Sequence, residues 1–208
     1  MAVVLANHYV RYVLVPPSAN INTREEEAAY VRYCFSDLYG ADVFNSELRF
    51  GEGIGVKPQV ASAIETYVLE KLERSVKDCG LKLRSVQPYL MTAFNRFAGR
   101  KPGNPFWFVL VEAGRACFAI LRDGDWVKLR TIRFGGDWAE ELPGLIDREF
   151  LLTGSNKERG EILLCVPGLL NPAVINHYGW PMRVEKITMD EVLLPALAAP
   201  RLDQVGVL

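Results

Sequence analysis

From Phe106 to Glu149 the chain sets an apolar segment, a Glu112-Ala113-Gly114-Arg115 turn, two more strand-like segments, and Gly135-Gly136-Asp137 ahead of a helix-forming run. Phe106 to Val111 is apolar at every position, which suits a strand covered on both faces. Ala116 to Arg122 and Trp126 to Phe134 flank Asp123-Gly124, a pair that tolerates the positive φ angles of a type I′ hairpin turn. Asp137 with Glu140 reads as a capping signal for a helix reaching Thr153-Gly154, with Pro143 expected to kink it or delay its regular part. Glu161 to Val166 and Arg183 to Ile187 read as further strands. A three-strand meander followed by helix, strand and strand predicts an α/β layer built on a mixed sheet.

The bulk numbers narrow the function classes. At 208 residues the chain can bury a substantial core as one domain or two small lobes. Half of its residues are apolar and its net charge is -1, an ordinary soluble globular balance. A dedicated nucleic-acid binder needs clustered cations, and Arg100-Lys101 with Arg130 and Arg133 are too sparse, so no nucleic-acid partner is expected. No apolar run approaches the ~20 residues of a membrane-spanning helix, so no direct membrane insertion is expected. Met1 to Leu5 lacks a basic flank and reads as a strand rather than a signal peptide. Cys34, Cys79, Cys117 and Cys165 each sit in an apolar segment without metal-ligand spacing, and read as buried thiols in a reducing cytoplasm.

In the first half, Ala2 to Val15 reads as one alternating strand stopped by Pro16-Pro17. A helix is predicted from Arg24 to Tyr39, with Thr23 and Glu26 as a capping box, Val31, Cys34, Phe35 and Leu38 facing inward, and Gly40 closing it. Short strands are expected around Glu47 to Phe50. A long helix is predicted from Pro58 to Cys79 on the spacing of Ala61, Ile64, Val68, Leu72 and Val76. Glu70 with Arg74 and Glu73 with Lys77 stand four apart in the favourable orientation. A strand from Leu81 to Val86 and a short helix near Leu90 to Phe97 follow. Ala98 to Pro105, polar and rich in glycine and proline, is the predicted linker between lobes.

In order and spacing, residues 55 to 166 resemble the actin-like proteins of bacterial type IV pilus assembly and type II secretion. The resemblance rests on Cys79-Gly80 through Gln87-Pro88 with the short helix behind them, on Val111-Glu112-Ala113-Gly114, and on Arg130 through Gly135-Gly136-Asp137. It implies an α/β fold of the ribonuclease H-like, actin-like ATPase type, mixed sheets flanked by helices, with a first lobe over 1–100 and a second over 106–208. A nucleotide site, if retained, would involve Glu112, Gly114, Arg115, Gly136 and Asp137, with phosphate near the helix start.

This sequence departs from the pattern in three places. No Asp-x-Gly hairpin opens the first lobe, and Met1 to Val15 looks like that lobe's third strand, so the lobe is expected to lack its leading hairpin. Glu112 stands where the second turn has aspartate, displacing the carboxylate by ~1.5 Å, and catalysis is unforgiving of such a shift. Pro167-Gly168-Leu169-Leu170 supplies a single glycine where the family has a pair against adenosine. The reading is therefore a cytoplasmic, non-catalytic scaffold without a cofactor. Its implied partner is a protein, such as the short tail of a membrane protein, docked between lobes or added to a sheet edge, with a homodimer as a further expectation. The alternative is a nucleotide-binding actin-like ATPase or sugar-kinase relative using the Glu112–Gly114 turn.

Other candidates are weaker. Gly51 through Lys57 is glycine-rich but lacks the Gly-Lys-Ser/Thr ending of a phosphate loop, and reads as a connecting loop. His8 and His177 have no recognisable nucleophile partner, so no catalytic triad is expected. Glu25 to Glu27 and Glu140/Glu141 read as helix-start charges rather than metal ligands. Trp126 and Trp180 are the tryptophans expected to be partly exposed and available to a partner.

Overall fold

The computed structural model describes residues 1–51, 56–97, 104–153, 160–167 and 182–187. Readings that fall on 52–55, on the linker 98–103, on 168–181 with His177 and Trp180, and on the tail lie outside the described residues. Met1–Thr92 and Ala93–Met189 form separate compact units.

In the first unit the expected single strand is two. β1 (Ala2–Leu5) pairs in parallel with β5 (Ser85–Pro88), whereas β2 (Val10–Val15) pairs antiparallel with β4 (Gln59–Glu65). A 3-10 turn at Asn7–Tyr9 separates them. Asn7 is fully buried there: its Oδ1 accepts from the Leu90 N–H at 3.1 Å and from the Tyr12 hydroxyl. A side-chain acceptor with tertiary partners thus breaks a strand that alternation alone would continue. Among the described residues β1 bonds only to β5.

The helix predicted from Pro58 to Cys79 is also two elements, β4 and α2 (Thr66–Asp78). β4 is the middle strand of the order β2-β4-β3, with β3 at Ser46–Phe50. Its small residues Ala61 and Ala63 are buried beneath α1 (Arg24–Tyr39) beside Val31 and Phe35. Close approach of a helix to the sheet requires those alanines, and an alanine-rich segment imitates helical spacing. Strand Leu81 to Val86 shifts to Ser85–Pro88, and α3 spans Tyr89–Asn95.

α1 carries the expected capping box, with the Glu26 N–H donating to Thr23 Oγ1 and Glu26 accepting from the Thr23 N–H. Val31 and Phe35 have no exposed surface, and each contributes roughly 2 kcal/mol by leaving water. Leu38 departs from the expected inward stripe and is 62% exposed. The Arg11 guanidinium lies over the Tyr39 ring and pairs with Glu65.

The second unit follows the predicted order. β6 (Phe106–Glu112), β7 (Arg115–Arg122) and β8 (Asp125–Arg133) form an antiparallel meander. α4 (Trp138–Leu152) then leads to β9 (Glu161–Pro167), parallel to β6, and β10 (Met182–Ile187), parallel to β9. The sheet order β10-β9-β6-β7-β8 puts the first strand in the centre. Asp123 and Gly124 both take positive φ, as the turn chemistry predicts. α4 runs through Pro143 and covers one face with Leu142 and Ile146 against Trp107, Val109, Phe118 and Leu164. On the other face Phe94 and Phe97 pack on Phe108, and Trp126 is half-buried against Phe94. Gly160 permits β9 to enter beside Pro105, whose carbonyl oxygen a Cβ there would meet at 1.7 Å.

Of the cysteines, Cys117 and Cys165 are buried, Cys34 is half-buried and Cys79 is exposed. Cys79 departs from the expectation because it caps α2.

Candidate functional site

Glu112 and Arg115 are the closing pair of the β6–β7 hairpin, with Ala113-Gly114 as its two-residue connection. Gly114 has φ +71°, a conformation that costs a side-chain-bearing residue and leaves glycine unstrained. Its carbonyl accepts from the Phe134 N–H at 3.1 Å, which ties the turn to the residue preceding Gly135. Cross-strand pairing sets Arg115 opposite Arg133. Glu112, Gly114 and Arg115 are therefore brought to the end of the sheet from which Gly136 and Asp137 start α4.

Their surroundings differ from an open phosphate cradle. Glu112 is 8% exposed, so little of its carboxylate faces a hydrated cation. Its charge is felt instead at Cys117, whose thiol is pushed up to about 12 chiefly by burial, with Thr131 and Arg115 opposing and Glu112 reinforcing the rise. Cys117 Sγ lies 3.5 Å from Thr131 Oγ1.

At the helix start, the Gly136 N–H donates to Glu141 Oε1 at 2.7 Å and the Ala139 N–H donates to Asp137 Oδ1 at 2.9 Å. The reciprocal carboxylate is thus Glu141, not the expected Glu140, because the donor it reaches is Gly136, one residue before the cap. Two N–H groups that a phosphate could use are occupied by the chain's own acids. Asp137, Glu140 and Glu141 satisfy the positive end of the helix, and a second anion would meet their repulsion.

Two features escaped the sequence reading. Glu149 of α4 is fully buried, with Lys128 Nζ at 3.0 Å and Arg130 Nη1 at 2.9 Å reaching it from β8. Only its place one turn beyond Ile146, on the apolar stripe, could have flagged it. The other is a cavity of about 230 Å³ in the first unit, lined by Glu47, Arg49, Ile64, Thr66, Leu69, Glu70, Glu73 and Val86. Ile64, Leu69 and Val86 form its apolar part. The expected pairs of Glu70 with Arg74 and Glu73 with Lys77 do not close among the described residues, and both glutamates line this cavity instead. The cavity exists because 59–65 holds strand β4 in place of the expected helix, which sets Ile64 in the sheet beside α2.

Among the described residues no group of three His, Cys, Asp or Glu side chains could hold a metal ion. No helix among them is long and apolar enough to cross a membrane.

No protein-family model matches the sequence, and no curated protein does. Solved structures do. The cytoplasmic domain of EpsL, an inner membrane component of the type II secretion system of Vibrio cholerae, is similar at a TM-score of 0.60 and 15% identity, over 98% of this chain and 76% of that one. The PilM-PilN type IV pilus biogenesis complex gives 0.63 and 14%, over 85% of this chain and 65% of that one. A Bacteroides thetaiotaomicron protein with an actin-like ATPase fold and unknown function gives 0.52 and 10%, over 92% of this chain and 70% of that one. This chain spans between 65% and 76% of these three. Taken with the central β6 strand and its meander, they show that this chain has the actin-like ATPase fold.

Proposed function

We propose that the chain is a cytoplasmic protein-interaction module of a pilus-assembly or secretion machine, and that it holds a short segment of a membrane partner instead of turning over nucleotide. The observation that carries this reading is the Gly136–Glu141 hydrogen bond: the helix start that would meet phosphate is already filled by a carboxylate. The near-burial of Glu112 supports it further. The cavity between β3, β4, α2 and β5 supplies a place for a peptide side chain, with an apolar floor and polar rim. Similar folds occur in an inner membrane secretion component and in a complex of two pilus proteins, which favours a protein partner of that kind.

A photo-reactive amino acid at Thr66, on the cavity wall, tests the docking half. The expected product is an adduct whose cross-linked peptide maps to a terminal segment of a membrane protein. Absence of any such adduct, with micromolar binding of magnesium-ATP, contradicts the reading. The second reading, a nucleotide-binding relative, is favoured by the convergence of the Glu112–Arg115 turn with Gly136 and Asp137. It requires Glu141 to yield its place to phosphate.

A further inference from the structure

We infer that the segment received by the first-unit cavity is basic and amphipathic: an extended stretch with Lys or Arg next to an apolar side chain. This rests on the docking reading above and specifies its partner's chemistry. The cavity presents three carboxylates, Glu47, Glu70 and Glu73, against the single guanidinium of Arg49. Arg49 already pairs with Glu47 at 3.4 Å, and among the described residues Glu70 and Glu73 have no ion-pair partner. The cations of α2 do not relieve this, since Lys71 lies over the Tyr67 ring and neither Arg74 nor Lys77 lines the cavity.

The geometry separates two jobs. Leu69 with its apolar neighbours Ile64 and Val86 takes an aliphatic side chain, which supplies affinity by leaving water. Glu70 and Glu73, one helical turn apart, stand on the rim, where charge selects between partners and speeds encounter more than it tightens the complex. An acidic segment would meet two uncompensated carboxylates and be rejected.

The test is selection of a phage-displayed library of random nine-residue peptides on the immobilised full chain. Three baits are compared: the wild type, Glu70→Gln/Glu73→Gln, and Leu69→Asp, each first shown by circular dichroism to be folded. Wild type is expected to enrich peptides in which Lys or Arg adjoins an apolar residue. The selected peptide, resynthesised and titrated by fluorescence anisotropy, is expected to bind the double glutamine variant about fivefold more weakly, as two rim charges warrant. Its affinity should also fall as salt rises. Enrichment of neutral or acidic peptides, or no loss on the double variant while Leu69→Asp abolishes binding, overturns the charge inference and leaves docking standing. No enrichment by wild type, or binding that Leu69→Asp leaves intact, overturns docking at this cavity and the inference with it.

Discussion

Glu141 Oε1 sits 2.7 Å from the Gly136 nitrogen, so the side chain of one helix residue fills the anion position at that helix's own start. A Cβ on Gly136 would come within 2.9 Å of the same oxygen, so a side chain there would push the Glu141 carboxylate from this position. Glu141→Ala is expected to cost about 1 kcal/mol of stability, the usual scale of a lost capping interaction. The midpoint of urea denaturation measures it. An unchanged midpoint means the hydrogen bond contributes nothing and the position is open.

Asn7 is the hinge between two strands that the sequence presents as one. Asn7→Ala leaves the Leu90 N–H and the Tyr12 hydroxyl without their acceptor in a buried setting. The expected loss is about 2–3 kcal/mol, the desolvation cost of stranded polar groups. A change near zero in a chemical-denaturation experiment would show that water replaces the amide.

Glu149 tests a buried charge from both sides. Glu149→Leu frees Lys128 and Arg130, which are 23% and 45% exposed and can turn to solvent, so its cost is expected to be modest. Lys128→Ala/Arg130→Ala leaves the fully buried carboxylate with the longer contact to Arg148 Nε at 3.7 Å, and the expected loss is larger, about 3 kcal/mol. Equal losses from the two variants contradict the assignment of Glu149 as the member that cannot escape.

The thiols should differ in reactivity by place. At pH 8 a thiol reagent is expected to modify exposed Cys79 quickly, and Cys117 and Cys165 only on unfolding. Burial raises the Cys117 pKa from 9.0 to about 12, so the folded state holds the protonated form more tightly than the unfolded chain. That contribution to stability is complete below pH 9.0 and is lost as pH climbs toward 12. A Cys117→Ala variant should therefore lose less stability than wild type between those values. Rapid labelling of Cys117 in the folded protein would contradict its burial.

Much of the second unit was legible because its signals are local. The continuous apolar run at Phe106 to Val111, the Asp123-Gly124 turn and the Asp137 cap each dictate their own geometry. The first unit was read less well because its decisions are tertiary. Ala61 and Ala63 belong to a strand only because α1 lies on them, and Asn7 breaks a strand only because Leu90 supplies a donor. Order along the chain was enough to expect Glu112, Gly114 and Arg115 at the sheet end where Gly136 and Asp137 start α4. It was not enough to expect Glu141 in the anion position there, since choosing Glu141 over Glu140 depends on where Gly136 points its N–H. The acidic cavity spans β3, β4, α2 and β5, and no single stretch of sequence contains it.

The central claim is that the helix start expected to meet phosphate is closed by the chain's own carboxylates. Isothermal titration of magnesium-ATP into the full chain examines it most directly. The account predicts no saturable heat up to millimolar nucleotide, for wild type and for Glu112→Asp alike. A dissociation constant in the micromolar range for the wild type, weakened by substitution of Gly114 or Arg115, would contradict it.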